Sequence, residues 1–298
     1  MPTKIVITGS NGQVGRTVLQ RLLDSNAELT TLVRHAAPLR SGKTLVCGLD
    51  DPRARRSLEA ADVVIHLAGS LRPKVSDTYY GSNVATAAAV AAAARGSNVK
   101  RIITLSYVNA NEASSNEYLR TKAQAERVLQ ETRIPTVIIR STHIIGPPED
   151  PGPTALALLS QDGEPVKILG NGSNIVAPVF RDDVAEVLVR AVENGRPGVY
   201  EVCGPERMTI NELAFLLNKN PNVPVRHLPI RLAMFLSRVI PGLTRPLVEV
   251  MTEPCVGDSV AAAREWGVTL HALGPIWNSS IPRELTFHAR ECVAELSG

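Results

Sequence analysis

Tyr118 and Lys122 stand four residues apart in Glu117-Tyr118-Leu119-Arg120-Thr121-Lys122. Four residues is about one helical turn, so a helix there puts phenol and ammonium on one face. An ammonium beside a phenol favours phenolate and draws the tyrosine pKa toward neutrality. Such a tyrosine can pass a proton to or from an oxygen as a carbonyl and an alcohol interconvert. A second cluster is Thr8-Gly9-Ser10-Asn11-Gly12-Gln13-Val14-Gly15, with glycines at GxxGxxG spacing. Glycine allows a tight turn and close approach of backbone to a pyrophosphate, and a helix N-terminus favours the negative charge. The turn lies between a strand pattern and a helix pattern, which is the context a dinucleotide site requires. Gly9, Asn11, Gly12, Gln13, Val14 and Gly15 are therefore candidate cofactor contacts.

The end of the second strand pattern reads Leu32-Val33-Arg34-His35, with no acid. An acid there would accept a hydrogen bond from a ribose 2′-hydroxyl, whereas a basic residue meets a 2′-phosphate. One charge-assisted hydrogen bond is worth roughly 1.5–3 kcal/mol, or about ten- to a hundredfold in affinity. Arg34, with Arg16 as a second positive group, predicts NADP(H) over NAD(H).

The elements that must position these groups alternate. Strand patterns at Lys4–Thr8, Glu28–Val33, Leu45–Cys47, Asp62–Leu67, Val99–Leu105 and Pro135–Arg140 are interleaved with helix patterns at Gly12–Asp24, Pro52–Ala60, Ser76–Arg95 and Ser115–Thr132. Continuous apolar strands such as Val63 to Leu67 suit a parallel sheet buried on both faces. The alternation implies right-handed crossovers. The expected fold is α/β, a doubly wound parallel sheet of the Rossmann type.

After Gly146 the pattern changes. Residues 147–153, PPEDPGP, read as a loop leaving the sheet. Then come a short helix at Leu156–Leu159, a strand at Val166–Leu169, and a stretch Asn174–Phe180 leading into a helix Asp182–Glu193 capped by Asp182 or Asp183. A late strand follows at Gly198–Val202, then a helix Thr209–Asn218 opened by a Thr209/Glu212 capping box. Residues 1–150 thus read as a dinucleotide-binding domain with late sheet elements from about 174–203. Residues 151–298 read mainly as a smaller, interleaved substrate lobe.

Together TGSNGQVG, DVVIHLAG, Asn83 within SNVATAAAV, YLRTKAQAE, IIRSTHIIGP and VYEVCGPERMTINEL resemble the extended or atypical short-chain dehydrogenase/reductase group. The resemblance runs from Lys4 to at least Leu213. It is close to the NAD(P)-binding proteins related to the accessory subunit of mitochondrial complex I, with NmrA-like redox sensors and nucleotide-sugar epimerases as further relatives. It implies that Gly9, Gly12 and Gly15 contact the pyrophosphate and that Arg34 sits at the adenosine 2′ position. Ala68 and Gly69 would line the cofactor, and Asn83 would lie near the active site. Tyr118 and Lys122 would be the catalytic pair, with Lys122 also holding the nicotinamide ribose. Ile144 and Gly146 would pass close to the nicotinamide.

The sequence departs from that pattern twice. In Leu105-Ser106-Tyr107-Val108-Asn109, Ser106 matches the first serine of the group, but the position that binds the substrate oxygen falls on Tyr107 or Val108. Ser106 is the remaining candidate for that role. After the third strand, Gly48 stands where an adenine-contacting acid is usual, leaving Asp50 to reach instead.

His143, at the C-terminal end of the sixth strand, is a candidate substrate contact, because open α/β sheets bind ligands there. His66 reads as a core histidine and Arg181 as half of a surface ion pair. The amphipathic stretch Arg231–Ile240 reads as packing against the substrate lobe, with a lid or partner-facing helix as the alternative. With 298 residues and a net charge of +3, the chain lacks the basic excess of a nucleic-acid binder. No apolar run is long enough to span a bilayer. Four cysteines without a CxxC pair and six scattered histidines point to no metal and to a reduced, cytoplasmic protein. The expected partners are a small-molecule substrate and a second copy in a homodimer. Three functions stay open: an NADP(H)-dependent oxidoreductase, an NADPH-binding sensor or scaffold, and a nucleotide-sugar epimerase or dehydratase, which would need an acid after strand two.

Overall fold

Lys4–Thr8 (β1) is buried from Ile5 onward, as a strand covered on both faces must be. The computed structural model describes residues 1–36, 43–73 and 77–279. The chain continues through α1 (Gln13–Leu22), β2 (Glu28–Val33), β3 (Lys43–Val46), α2 (Pro52–Glu59) and β4 (Val63–His66). A π-helical turn at Tyr80–Ala85 leads into α3 (Thr86–Ala94), followed by β5 (Arg101–Tyr107), α4 (Glu117–Gln130) and β6 (Thr136–Ser141). Beyond these lie β7 (Ile144–Ile145), α5 (Gly152–Leu156), β8 (Val166–Leu169), β9 (Ile175–Val176), β10 (Val179–Phe180), α6 (Arg181–Glu193) and β11 (Gly198–Val202). The last elements are β12 (Met208–Thr209), α7 (Ile210–Leu217), β13 (Val225–Leu228), α8 (Ile230–Leu236), α9 (Arg245–Thr252), α10 (Val260–Trp266) and α11 (Leu273–Ser279).

Seven strands form one parallel sheet in the order β11-β6-β5-β4-β1-β2-β3. The fold is the doubly wound Rossmann type. The strand order reverses between β1 and β4, and ligands of open α/β sheets bind beyond the carboxyl ends of the strands at such a point. Val14, Val18, Leu19 and Leu22 of α1, with α6 and α10, cover one face. Ala54 and Leu58 of α2, the alanines of α3, and Ala125 and Leu129 of α4 cover the other. The alanine run lets α3 lie close against its neighbours.

A third core joins the ends of β5 and α4 to β8, α7, α9 and α11. The smaller lobe is therefore seated on the carboxyl edge of the sheet. The segment after residue 150 also returns to the sheet, through β11 and through α10, whose Trp266 packs edge-on against Tyr200.

Several local expectations need correction. The helix expected from Ser76 starts in a residue outside the described ones, and helical structure is seen from Tyr79 with a π turn first. Neither Asp182 nor Asp183 caps α6: Phe180 is the N-cap, and Asp183 instead holds the His271 backbone and imidazole at 2.6 and 2.7 Å. The short helix expected at Leu156–Leu159 lies earlier, at Gly152–Leu156, because Pro153 suits a first turn. Arg231–Ile240 packs against α9 only in part, with Met234 and Leu236 half-buried. Only Ala233 of α8 is buried, while Leu232, Phe235, Val239 and Ile240 are exposed. The Thr209/Glu212 capping box is present in full.

Candidate active site

Gly9 adopts a left-handed φ of 70°, and a Cβ there would stand 2.7 Å from the Ala68 nitrogen. A Cβ at Gly15 would stand 2.3 Å from the Gly9 carbonyl oxygen. Both positions therefore exclude side chains, and β1, the loop after β4 and α1 meet in one close-packed turn. Ala68 donates its N–H to Thr8 Oγ1, 3.3 Å away. α1 has no side-chain cap at Gly12 and no acid in its first turn. Ser10 Oγ and Gln13 Oε1 are buried without a hydrogen-bond partner among the described residues. A cradle barred to side chains, an uncapped helix start and the orphaned Ser10 hydroxyl fit a phosphate-bearing ligand. The loop after β7 closes over this turn. Asp150 pairs with Arg16 at 3.5 Å and with the buried Arg181 at 2.6 Å. Arg181 is thus a buried cation anchoring this loop, where a surface pair was expected.

Tyr118, Lys122 and Glu126 recur every fourth residue on α4 and form one stripe. Asn116 caps the helix and also donates to the Pro246 carbonyl (3.0 Å) and the Glu249 carboxylate (2.9 Å), which fixes the start of α4 against α9. Tyr118 is buried between two aromatic edges, Tyr79 at 6.0 Å and Tyr107 at 5.6 Å between ring centroids. Its hydroxyl has no hydrogen-bond partner among the described residues. Burial, then the neighbouring Cys255 and Tyr79, push the phenol above its ordinary pKa. This reverses the expected lowering by Lys122, whose ammonium turns instead to the Leu105 carbonyl at 2.7 Å. Burial brings Lys122 down to about 8. The Lys122 ammonium lies 3.7 Å from where a Gly69 Cβ would be, and the Asn83 amide oxygen 2.9 Å from it. Asn83, carried on the π turn, accepts from the Ser70 nitrogen at 3.1 Å and donates to Thr121 Oγ1 at 3.2 Å. Gly69, Asn83 and Lys122 are thus brought together, with Tyr118 one helical turn before Lys122 on the same helix.

Ser106 does not join them. Its hydroxyl donates to Glu126, whose carboxylate also accepts from Arg140 at 3.0 and 2.6 Å. The expectation that Ser106 meets a substrate oxygen fails in this arrangement, because a buried carboxylate already holds the hydroxyl. Tyr107 cannot replace it either, since its hydroxyl lies 2.9 Å from Cys255 Sγ. Arg34 is at the end of β2 with its side chain 61% exposed, paired with Asp77 at 2.9 Å. Asp50 is exposed and folds back on its own turn, its carboxylate 2.2 Å from where a Gly48 Cβ would be. Ile144 is buried in β7 beside Val179 of β10. His143 is buried 6.0 Å from the Tyr107 ring; its Nε2 has no partner, and burial lowers its pKa to about 4. His66 is a core residue bonded through Nδ1 to Thr8 Oγ1 at 2.8 Å.

Sequence reasoning missed Tyr79, Cys255 and Thr244. The Tyr79 hydroxyl donates to the Leu71 carbonyl at 3.0 Å and lies 2.6 Å from Thr244 Oγ1. The contacts of Tyr79 with Thr244 and of Tyr107 with Cys255 cross 165 and 148 residues, and no local pattern announces them. Glu126 was missed as well, although its four-residue spacing from Lys122 on α4 is a signal that could have found it. Among the described residues no group of three or more His, Cys, Asp or Glu could hold a metal ion.

Comparison with known proteins supplies the family. The sequence profile of the NAD dependent epimerase/dehydratase family matches residues 5–203. The chain belongs to that family. Within this epimerase/dehydratase family, the chain is 26% identical over 227 residues to an Arabidopsis thaliana protein, NADH dehydrogenase (ubiquinone) 1 alpha subcomplex subunit 9, mitochondrial, covering 71% of this chain and 56% of that one. It is 22% identical to 2-alkyl-3-oxoalkanoate reductase of Shewanella oneidensis, covering 72% and 62%, and 28% identical to ceramide reductase of Caulobacter vibrioides, covering 68% and 65%. The chain thus spans between about half and two thirds of the length of these relatives. Among solved structures, UDP-glucuronic acid 4-epimerase from Bacillus cereus in complex with NAD shares the fold at a TM-score of 0.74 and 18% identity, over 93% of this chain and 97% of that one.

Proposed function

We propose that this chain binds a nicotinamide dinucleotide and interconverts a carbonyl and an alcohol on a small-molecule substrate. The observation that carries the reading is the Tyr118 side chain, held between Tyr79 and Tyr107 with no hydrogen-bond partner on its hydroxyl among the described residues, one helical turn from the Lys122 that faces Gly69. The backbone around Gly9, Asn11, Gly12, Gln13, Val14 and Gly15 cradles the pyrophosphate, with Ala68 and Gly69 against the cofactor and Ile144 near its nicotinamide end. The adenine end is assigned to Asp50, whose carboxylate must leave its own turn at Gly48 to meet it. Lys122 holds the ribose and Asn83 fixes Gly69. A bound nicotinamide supplies or accepts the hydride. Tyr118 gives the substrate oxygen a proton in reduction and takes it in oxidation. Held above its ordinary pKa by burial, the phenol is protonated at neutral pH and can give its proton to an oxygen that becomes more basic than itself, as an alkoxide does. His143 backs the substrate side of Tyr107.

Arg34 carries the preference for NADP(H), since its exposed guanidinium reaches the end of β2 where a 2′-phosphate would lie. Residues 1–150, with the elements that return to the sheet, form the cofactor-binding part, and the later lobe selects the substrate. Small-molecule reductases among the relatives support this reading. A second reading, a dinucleotide-binding sensor or scaffold without turnover, is favoured by the engagement of Ser106 with Glu126. Tyr118→Phe separates the two. We expect it to lower turnover by about a hundredfold to ten-thousandfold while dinucleotide affinity, followed by nicotinamide fluorescence, stays within about twofold. Full turnover in the variant refutes the assignment of Tyr118, and binding with no turnover by the parent supports the second reading.

A further inference from the structure

α8 and the turn after it expose a run of large apolar side chains: Ile230, Leu232, Phe235, Val239 and Ile240, with Phe235 58% and Val239 65% exposed. Single exposed apolar residues are ordinary, but five within eleven residues form a patch that marks an interaction surface. The charge along this part of the chain is mostly of one sign. From Leu213 to Val248 the chain contains no Asp or Glu and five Lys or Arg. Arg245 is paired with Glu249, while Arg231 and Arg238 form no ion pair among the described residues. Aliphatic and aromatic tips interleaved with arginines, on a short helix and a Pro241-Gly242 turn, are the composition of a segment that lies in a lipid interface. There the apolar tips enter the acyl boundary and the guanidinium groups stay with anionic headgroups.

The patch also borders the candidate site. An open cleft of about 480 Å³ is lined by Met234, Ser237, Arg238, Thr244 and Arg245. Thr244 Oγ1 lies 2.6 Å from the Tyr79 hydroxyl, and Tyr79 packs edge-on against Tyr118.

We infer that Ile230–Leu243 is a surface anchor that seats this protein on anionic phospholipid, with the cleft beside Tyr79 turned toward the lipid. The anchor spans nothing; among the described residues no helix is long and apolar enough to cross a membrane. The inference does not depend on dinucleotide binding. Its charge pattern favours an anionic bilayer over a neutral one, and its apolar tips favour a bilayer over a purely ionic partner.

The test is co-sedimentation of the full chain with vesicles of phosphatidylcholine alone and with about one third phosphatidylglycerol. We expect at least tenfold stronger partitioning onto the anionic vesicles, weakening as salt is raised. Each arginine near such a surface contributes about fivefold, so Arg231→Gln with Arg238→Gln lowers anionic partitioning roughly twentyfold. Phe235→Ser with Val239→Ser lowers it at least tenfold. All four side chains are solvent-facing, so thermal melts of both variants should match the parent, and the two variants check each other. Equal or absent partitioning on the two vesicle types overturns the proposal. So does partitioning unchanged in both variants. A dimer in solution that Phe235→Ser with Val239→Ser dissolves would assign the patch to a second copy and overturn it as well.

Discussion

Ser106 donates its hydroxyl to Glu126, and Arg140 grips the same carboxylate through two further bonds. The three groups tie β5, α4 and β6 together directly below the Tyr118–Lys122 pair. A hydrogen bond to a charged, buried acceptor is worth about 1.5–3 kcal/mol. Ser106→Ala should therefore lower unfolding free energy by about 1–3 kcal/mol in urea melts, with dinucleotide affinity and turnover within about threefold. A hundredfold fall in turnover at unchanged stability would mean that the hydroxyl leaves Glu126 to meet substrate.

Arg34 shares its guanidinium with Asp77, whose carboxylate also accepts from Ser82 Oγ at 2.7 Å and the Thr78 nitrogen at 2.9 Å. A 2′-phosphate must compete with that acid. Arg34→Ala should weaken NADPH binding by about tenfold or more and NADH binding by less than about twofold. Asp77→Asn should tighten NADPH binding, because it frees the arginine and removes a like charge. Equal losses for both cofactors in Arg34→Ala would refute the phosphate preference.

The Rossmann sheet was legible because its information is local. Apolar runs such as Ile5–Ile7 and Val63–Ile65 are buried on both faces, and GxxGxxG needs only the strand before it and the helix after it. The Tyr118–Lys122 pair was legible for the same reason, as one helical turn. What escaped depends on contacts distant in sequence. The partner of Ser106 lies on α4, the partner of Tyr107 is Cys255, and the partner of Tyr79 is Thr244. The sign of the Tyr118 shift escaped too, because burial by Tyr79, Tyr107 and the lobe outweighs a lysine that points elsewhere. In Arg231–Ile240, helical amphipathicity was visible, but an apolar stripe alone does not say whether protein or solvent faces it.

Lys122 sets a pH dependence. Burial depresses its ammonium from 10.5 to about 8. Between those values the unfolded chain binds the proton and the folded chain does not, so this group makes stability rise with pH from about 8 to 10.5. Dinucleotide affinity should move the other way, falling as pH passes 8, because the neutral amine loses the charge that holds a ribose oxygen. Lys122→Met should abolish both trends. An affinity that is flat from pH 7 to 9.5 in the parent would remove Lys122 from the binding site.

His66 and His143 set the acid limit. Burial lowers His66 to about 3, with the Lys122 charge adding to it, and burial alone lowers His143 to about 4, both from 6.5. The unfolded chain therefore takes up protons below pH 6.5 that the folded chain refuses. Stability falls as pH drops from 6.5 toward 4, at about 1.4 kcal/mol per pH unit for each histidine once its unfolded form is charged. His66 keeps its bond to Thr8, but the His143 Nε2 has no partner, so His143→Leu removes a buried polar atom that nothing satisfies. The variant should match or exceed the parent in stability at pH 7 and lose less of it by pH 4.5 in urea melts. A slope unchanged by His143→Leu would show that the imidazole reaches solvent in the folded state. A loss of turnover without a loss of dinucleotide affinity would place it against the substrate.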